Sequence, residues 1–407
     1  GKRIAITICE DLWDTVVVEN SFAKENIYKQ SPMEMLHGLK PDLIVNIAAS
    51  PFSYDKEYLR RRVLQDNATR WQLPIVYVNQ VGANTEIIFD GSSKVIRQDG
   101  TIAHMLSSFK EDSLVVDIDT LKTEIKQEQP SKIEQIHDAL VLGIRDYFSK
   151  NGFKTATLGL SGGIDSAVVL TLAERAIGAE NIRVLLMPSE FSSDHSVNDA
   201  VTLARNIGVK YDIINIQQVF EAFKQTLKPV FGDLPFNIAE ENLQARTRGV
   251  LLMATSNKFG NILLNTSNKS EAAVGYGTLY GDMNGSISVL GDVYKTDVFA
   301  LARFINKDRE IIPLNTIIKP PSAELRPGQK DSDSLPEYDL LDAILFRYIE
   351  QKFSVSEIVE QGFDRATVER TVHMVNKCEY KRFQSPPILR VSSKAFGLGR
   401  RKPLVPK

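Results

Sequence analysis

Gly159-Leu160-Ser161-Gly162-Gly163-Ile164-Asp165-Ser166 sets a hydroxyl-flanked glycine pair and an acid at the head of an apolar stretch. It follows the alternating segment Thr155–Leu160 and leads into Ala167–Ile177, whose apolar residues recur at helical spacing. A strand, a Ser-Gly-Gly turn and a helix N-terminus gather backbone N–H groups at the positive end of a helix dipole, which makes a seat for phosphate. A Walker loop would carry Gly-Lys-Ser/Thr after its glycines, and none follows here.

Other clusters could serve the same chemistry. Met187-Pro188-Ser189-Glu190-Phe191-Ser192-Ser193 ends a second strand, where adenine can meet backbone groups. Asn242 and Arg246 stand four apart on one helix face. Asn265-Thr266-Ser267-Asn268-Lys269-Ser270-Glu271 offers hydroxyls and a carboxylate to phosphate and metal, and Gly275–Asp282 is glycine-spaced with two tyrosines. Each has a plain alternative: Asn242 as a cap, Glu271 as a surface acid, the tyrosines as core. Near the start, Ile8-Cys9-Glu10-Asp11-Leu12-Trp13 presents a cysteine at the end of a strand read as buried, a position suited to a nucleophile. The alternative there is a buried structural cysteine.

The elements that must position these residues fall into two patterns. Residues 1–120 read as short strands, Arg3–Ile8, Asp42–Ile47 and Ile75–Asn79, with a helix over Lys56–Trp71. Glu86–Phe89 and Lys94–Arg97 read as a meander with turns at Asp90-Gly91 and Asp99-Gly100. A charged stretch over 121–132 reads as a linker. From 133 to 407 strands and helices alternate: strands at Thr155–Leu160, Arg183–Met187, Lys210–Ile216 and Ile262–Asn265, helices at Ile133–Ser149, Asp165–Ala176, Ser196–Ile207, Val219–Lys228 and Ala239–Phe259. That order predicts an α/β fold with a doubly wound parallel sheet and ligands at the carboxyl ends of its strands. Pro320–Leu335, rich in Pro, Gly, Ser and charge, reads as a mobile loop.

Composition narrows the field. With 407 residues, 43% hydrophobic and 25% charged, the chain can build two or three cores. A net charge of -2 argues against nucleic acid as a partner, although Lys377–Lys407 carries nine Lys/Arg against the single acid Glu379. That tail is either solvated or a cover for a polyanionic ligand. Two cysteines make no disulfide framework, which predicts a reducing, cytoplasmic setting, and no apolar run suggests a membrane span. The chain opens with Gly inside a strand-like segment and reads as a fragment of something longer.

Taken together, the second region resembles the N-type ATP pyrophosphatases, with an adenine nucleotide alpha hydrolase-like fold, and within them the ammonia- or glutamine-dependent NAD synthetases. The resemblance covers 133–407. It implies that deamido-NAD, ATP and ammonia become NAD, AMP and pyrophosphate. It implies that Gly159, Leu160, Ser161, Gly162, Gly163, Ile164, Asp165 and Ser166 bind ATP, helped by Thr266 and Lys295. Asp165 and Glu271 would hold Mg²⁺. Asn242, Arg246, Glu271 and Lys381 would contact deamido-NAD, and Lys319–Leu325 would begin a loop closing over the site. Pro320-Pro321-Ser322 stands where Pro-Thr-Ala is common, which leaves a phosphate role for Ser322 open.

Asn46–Phe52, Tyr77–Gly82 and Phe89–Ser93, together with Cys9, resemble part of an α/β/β/α nitrilase-type sandwich. Cys9 then matches the nucleophile of a glutaminase, with Ser50 and Lys56 holding glutamine and Glu10 beside them. The family's general-base Glu and catalytic Lys match segments upstream of residue 1. The pairing implies ammonia passing between two sites and a homo-oligomer. A GMP synthetase-like amidotransferase, a tRNA-thiolating enzyme and a non-catalytic nucleotide-binding module remain as alternatives.

Overall fold

The structure is a computed structural model, and it describes residues 1–14, 28–121 and 130–405. Most of the expected linker, 122–129, lies outside the described residues. The chain divides into two compact units, Gly1–Leu142 and Gly143–Lys407, and the division falls within a helix rather than in the expected linker.

In the first unit the elements run β1 (Ile4–Ile8), α1 (Pro32–His37), β2 (Leu43–Ala48), α2 (Lys56–Trp71), β3 (Ile75–Asn79), β4 (Val81–Asn84), β5 (Ile87–Asp90), β6 (Lys94–Ile96) and β7 (Ile102–Met105). One sheet has the order β1-β2-β3-β6-β7, with its first three strands parallel and the rest antiparallel. Ala5, Ile44, Ile75 and Tyr77 pack against Val63, Leu64 and Ala68 of α2. Two expectations need correction. β1 is not buried on both sides: Ala5 and Thr7 turn inward, while Ile4, Ile6 and Ile8 are 54–67% exposed. It alternates because this sheet has one covered face, as Ile47 of β2 and Val78 of β3 are exposed too, and an apolar run alone cannot report that. Nor do β5 and β6 form one meander. β5 pairs with β4 in a separate ribbon, because the chain turns through Ser92 in the left-handed region (φ 53°) before β6 joins β3.

The helix α3 (Lys132–Asn151) leads into the second unit. There follow β8 (Ala156–Gly159), α4 (Ile164–Ile177), β9 (Ile182–Leu186), α5 (Asp194–Ile207), β10 (Lys210–Ile213), α6 (Gln217–Phe231), α7 (Ile238–Phe259), β11 (Ile262–Asn265), α8 (Lys269–Val274) and β12 (Ile287–Ser288). The sheet is wholly parallel in the order β10-β9-β8-β11-β12. The chain winds outward from β8 in both directions, so the strand order reverses between β8 and β11. That reversal opens a crevice at the carboxyl ends of the strands. Nine consecutive-to-neighbouring positions of α4, including Ile164 and Ala167–Ala173, are buried, so this helix is the centre of the core. Beyond the sheet lie α9 (Lys295–Ile305), α10 (Leu314–Ile318), α11 (Tyr338–Ile349), α12 (Val355–Glu360), α13 (Arg365–Lys377) and α14 (Glu379–Arg382), none anticipated from the sequence. Among the described residues no helix is long and apolar enough to cross a membrane.

Candidate active site

A cavity of about 310 Å³ opens at the β8/β11 reversal. Its floor is the Ser-Gly-Gly turn. Gly163 caps α4 with no side chain over it, so the first N–H groups of that 14-residue helix stay open to a ligand. Ser166 Oγ bonds the Gly163 carbonyl at 3.0 Å and lies 3.2 Å from Ser161 Oγ, which stiffens the turn. Gly162 sits at φ 79°, and a Cβ there would come 2.1 Å from the Ser196 carbonyl oxygen of α5. Only glycine fits.

Opposite the turn, a charged cluster comes from four elements. Asp165, in the first turn of α4, accepts from Asn268 Nδ2 at 2.9 Å and from Lys295 Nζ at 2.5 Å. Lys295 opens α9 and also reaches Glu271 Oε1 at 3.5 Å. Asn268 and Glu271 form the capping box of α8, each accepting from the other's backbone N–H. Asp331 completes the cluster from the loop after α10, taking hydrogen bonds from Tyr276 and Tyr338 at 3.1 and 2.8 Å. Burial first, then the charges of Asp165 and Asp331, push the Glu271 carboxyl up to about 8 against the pull of Lys295. The site carries more negative charge than its one lysine balances.

The back of α8 is clamped. Lys269 is fully buried and touches Asp292 and Glu350 at 2.9 Å, Ser392 Oγ at 2.8 Å and the Lys394 carbonyl at 3.1 Å. The segment Ile388–Phe396 is therefore largely core, with Leu389, Val391, Ser392 and Ala395 buried. The basic tail is in part spent on the protein. Arg382 donates to the Ala272, Ala273 and Val375 carbonyls, closing helix ends.

Of the residues singled out in the sequence, Gly159, Leu160, Ser161, Gly163, Ile164, Asp165, Ser166, Thr266, Glu271 and Lys295 line the cavity. Gly162 supports it from behind. Asn242, Arg246 and Lys381 do not line it; all three hold the Gly275–Asp282 loop. Asn242 accepts from Thr278 Oγ1 at 2.7 Å, Arg246 Nε donates to the Leu279 carbonyl at 3.2 Å, and Lys381 Nζ donates to the Gly275 and Gly277 carbonyls at 2.8 and 2.7 Å. Lys319–Leu325 lines the cavity too. Ser322 Oγ there donates to the Gln329 carbonyl at 2.6 Å, inside its own loop. That loop, expected to be mobile, is tied at Glu324, which accepts from Ser193 and Ser196 at 2.9 and 2.7 Å, and at Asp331. Sequence reasoning missed Asp331 and Arg248. Arg248 is visible in retrospect as the one cation on a small-residue face of α7.

The first unit gathers its own residues. Cys9 follows β1 in a one-turn 3₁₀ segment, Cys9–Leu12, and is half-buried with φ 46°. A left-handed non-glycine residue stores strain that its neighbours must hold. Here Asp11 Oδ2 accepts from the Ile8 N–H at 2.8 Å, and its Oδ1 accepts from Tyr28 at 2.9 Å. Burial, then Arg60, lowers the Lys56 ammonium below its usual range, with Cys9 and Glu10 near enough to oppose the shift. The Ser50 N–H donates to Asn79 Oδ1 at 2.9 Å. Beneath lies a buried network unforeseen in the sequence: Lys94 pairs with Glu57 at 2.8 Å, and Arg60 bridges Glu57 and Asp90.

Comparison with known proteins gives the family. Residues 136–385 match the NAD synthase family. The chain is 46% identical to the glutamine-dependent NAD(+) synthetase of Synechocystis sp., over 99% of this chain and 72% of that protein. The solved structure of glutamine-dependent NAD+ synthetase from Acinetobacter baumannii, in complex with adenosine diphosphate, is 42% identical over 98% of this chain and 72% of that one, with a TM-score of 0.71. A synthetase from Cytophaga hutchinsonii, at 21% identity and a TM-score of 0.80, shares the fold. With a family model over 136–385 and relatives of this identity along nearly its whole length, the chain belongs to the family of glutamine-dependent NAD(+) synthetases.

Proposed function

We propose that this protein amidates deamido-NAD to NAD at the expense of ATP, with AMP and pyrophosphate released and with ammonia drawn from glutamine. The observation that carries this reading is the convergence of the Ser161–Ser166 turn, Asp165, Glu271 and Lys295 on one cavity. A carboxylate is a poor electrophile, so the pyridine carboxylate must first attack the α-phosphate of ATP and become an acyl-adenylate. Charge then builds on the departing pyrophosphate. The open N–H groups of α4 receive its oxygens, and the Lys295 ammonium lies beside them to balance the charge. Ammonia next attacks the acyl carbon and displaces AMP. No protein nucleophile enters, and positioning carries the step.

Mg²⁺ fits the donor set. Asp165 and Glu271 offer hard oxygens around an excess of negative charge, and among the described residues no three His, Cys, Asp or Glu side chains form a complete metal site. Ligand oxygens and water would have to finish the shell, as is usual for Mg²⁺ arriving with nucleotide. Bound there, the ion would neutralise phosphate charge. Asn242, Arg246 and Lys381 shape the Gly275–Asp282 loop against which deamido-NAD would lie.

In the first unit Cys9 would attack the glutamine amide to form a thioester, with Ser50 and Lys56 holding the substrate. Both cysteines are free, in keeping with a reducing cytoplasm. Exposed Val230, Leu234 and Ile238 in and beside α6 and α7 favour a homo-oligomer. The test is direct. Incubation with deamido-NAD, ATP, Mg²⁺ and ammonium, read by chromatography, should yield NAD and AMP in equal amounts. ADP as the product, or no NAD, refutes the reading.

A further inference from the structure

One face of α7 turns Ala245, Arg248, Gly249 and Leu252 to the cavity, at the i, i+3, i+4, i+7 spacing of a single stripe. Three of the four are small or apolar. α7 comes close to the wall beside it: a Cβ on Gly249 would meet the Tyr280 carbonyl oxygen at 2.9 Å. Arg248 is thus held in a narrow, mostly uncharged place. Its Nε donates to the Met187 carbonyl at 3.0 Å and its Nη2 to Ser189 Oγ at 3.4 Å, both neutral acceptors at the end of β9. Among the described residues no carboxylate oxygen lies within 4.0 Å of its guanidinium. The other cavity cations differ. Lys295 is paired with Asp165 and Glu271, and Lys319 faces Asp199 at 3.6 Å.

Arg248 is half-buried, and a guanidinium partly withdrawn from water without a counter-ion carries a cost that is recovered when an anion arrives. Burial lowers the Arg248 group to about 10, with Glu324 and Asp282 pulling the other way, so it still carries its charge at neutral pH. Its two neutral bonds fix the plane of the fork and leave the charge unspent. Arg246, two positions earlier, points instead to the Leu279 carbonyl on the loop that Asn242 and Lys381 also hold. The two arginines serve different walls.

We propose that Arg248 binds a phosphoryl oxygen of ATP, completing from α7 the phosphate seat that the Ser161–Ser166 turn begins from α4. This rests on the ATP-dependent reading above and adds to it a binding residue with a stated ligand atom. The chemistry alone would also suit the pyrophosphate of the dinucleotide, so the experiment separates the two. Binding of ATP, adenosine and deamido-NAD to the 407-residue chain is measured by calorimetry for the parent, Arg248→Gln and Arg248→Lys. Glutamine keeps a donor for the Met187 carbonyl and loses the charge; lysine keeps the charge.

Arg248→Gln should raise the Kd for ATP about 10- to 100-fold, the range of a charged hydrogen bond. Adenosine and deamido-NAD should bind as before, and Arg248→Lys should recover part of the loss. Equal weakening of ATP and adenosine would overturn the proposal in favour of a base, ribose or purely structural role. Weakening of deamido-NAD alone would assign the seat to the dinucleotide and overturn it too, as would unchanged binding throughout. A parent chain that binds no ATP, or makes no NAD from ammonium, would instead refute the underlying function.

Discussion

Lys295 Nζ lies 2.5 Å from Asp165 Oδ2, although the two are 130 positions apart in the chain. The contact joins the first turns of α4 and α9, so the phosphate turn and the cluster opposite share one charged hinge point. Asp165 also holds Asn268, and through it the cap of α8. Substitution Asp165→Asn keeps the shape and removes the charge. Turnover with ammonium should fall at least 100-fold while the melting temperature stays within a few degrees, since no core atom is lost. Near-parental release of AMP would exclude a metal-facing role for Asp165.

Gly162→Ala tests the turn itself. The new Cβ meets backbone, not a flexible side chain, and the residue must keep φ near 79°. A loss of about 1–3 kcal/mol in stability is expected, together with weaker ATP binding because the turn and α5 must separate. Thermal melts with and without ATP measure both. An unchanged melt would mean that the turn and α5 are not packed as described.

Lys381→Ala should raise the Michaelis constant for deamido-NAD well above any change for ATP. Lys381 holds the Gly275 and Gly277 carbonyls, on the wall assigned to the dinucleotide, and a charged hydrogen bond is worth about 1.5–3 kcal/mol. Equal effects on the two substrates would contradict the division between walls.

The cysteine can be removed without touching the second unit. In any assay where glutamine supports NAD synthesis, Cys9→Ala should abolish that support and leave the ammonium-driven rate within twofold. Only a thiolate there can form the acyl-enzyme. Retained glutamine-driven synthesis would move the nucleophile elsewhere.

Acid stability of the first unit should depend on Glu57. Burial pushes its carboxyl up, but the charges of Lys94 and Arg60 outweigh burial and hold it below the usual carboxylate range. A carboxyl depressed in the folded state lends stability that is full above its unfolded pKa, about 4.3, and that fades as pH falls through the folded value. Both tryptophans, Trp13 and Trp71, belong to this unit, so their fluorescence reports its unfolding. Between pH 6 and pH 3 the parent should lose stability more steeply than Glu57→Gln, which starts lower. Parallel profiles would show that folding leaves the Glu57 carboxyl unshifted.

The parts legible in the sequence were those with local causes. Lys56–Trp71, Ile75–Asn79 and Ile262–Asn265 appear at the bounds their periodicity predicts, and the glycine pair of the phosphate turn announces itself. Among the helices after Phe259, α8, α10 and α12 escaped because they are only five or six residues long and take their shape from caps and tertiary packing, whereas α9, α11 and α13, at 11 to 13 residues, carried helical spacing that was not read. Arg248 and Asp331 escaped for a different reason. Asp331 has no neighbour in sequence that marks it, the small-residue stripe around Arg248 shows only once α7 is known to face the cavity, and each acquires its meaning from what the fold sets opposite: neutral acceptors for Arg248, two tyrosines for Asp331. The Glu57–Arg60–Lys94–Asp90 network is likewise a product of β6 lying against α2.

The clasp on Lys269 bears on how the enzyme is born. Glu271 takes its place from a six-residue helix whose opposite side is gripped by Ser392 and the Lys394 carbonyl, more than 120 positions downstream. A ribosome that has delivered the whole parallel sheet has still not delivered the brace for that helix. The nascent chain should pass through a stage in which nucleotide can meet the Ser-Gly-Gly turn but the carboxylate opposite is unsupported. Competence for adenylation should then arrive abruptly, with the emergence of residues 388–396.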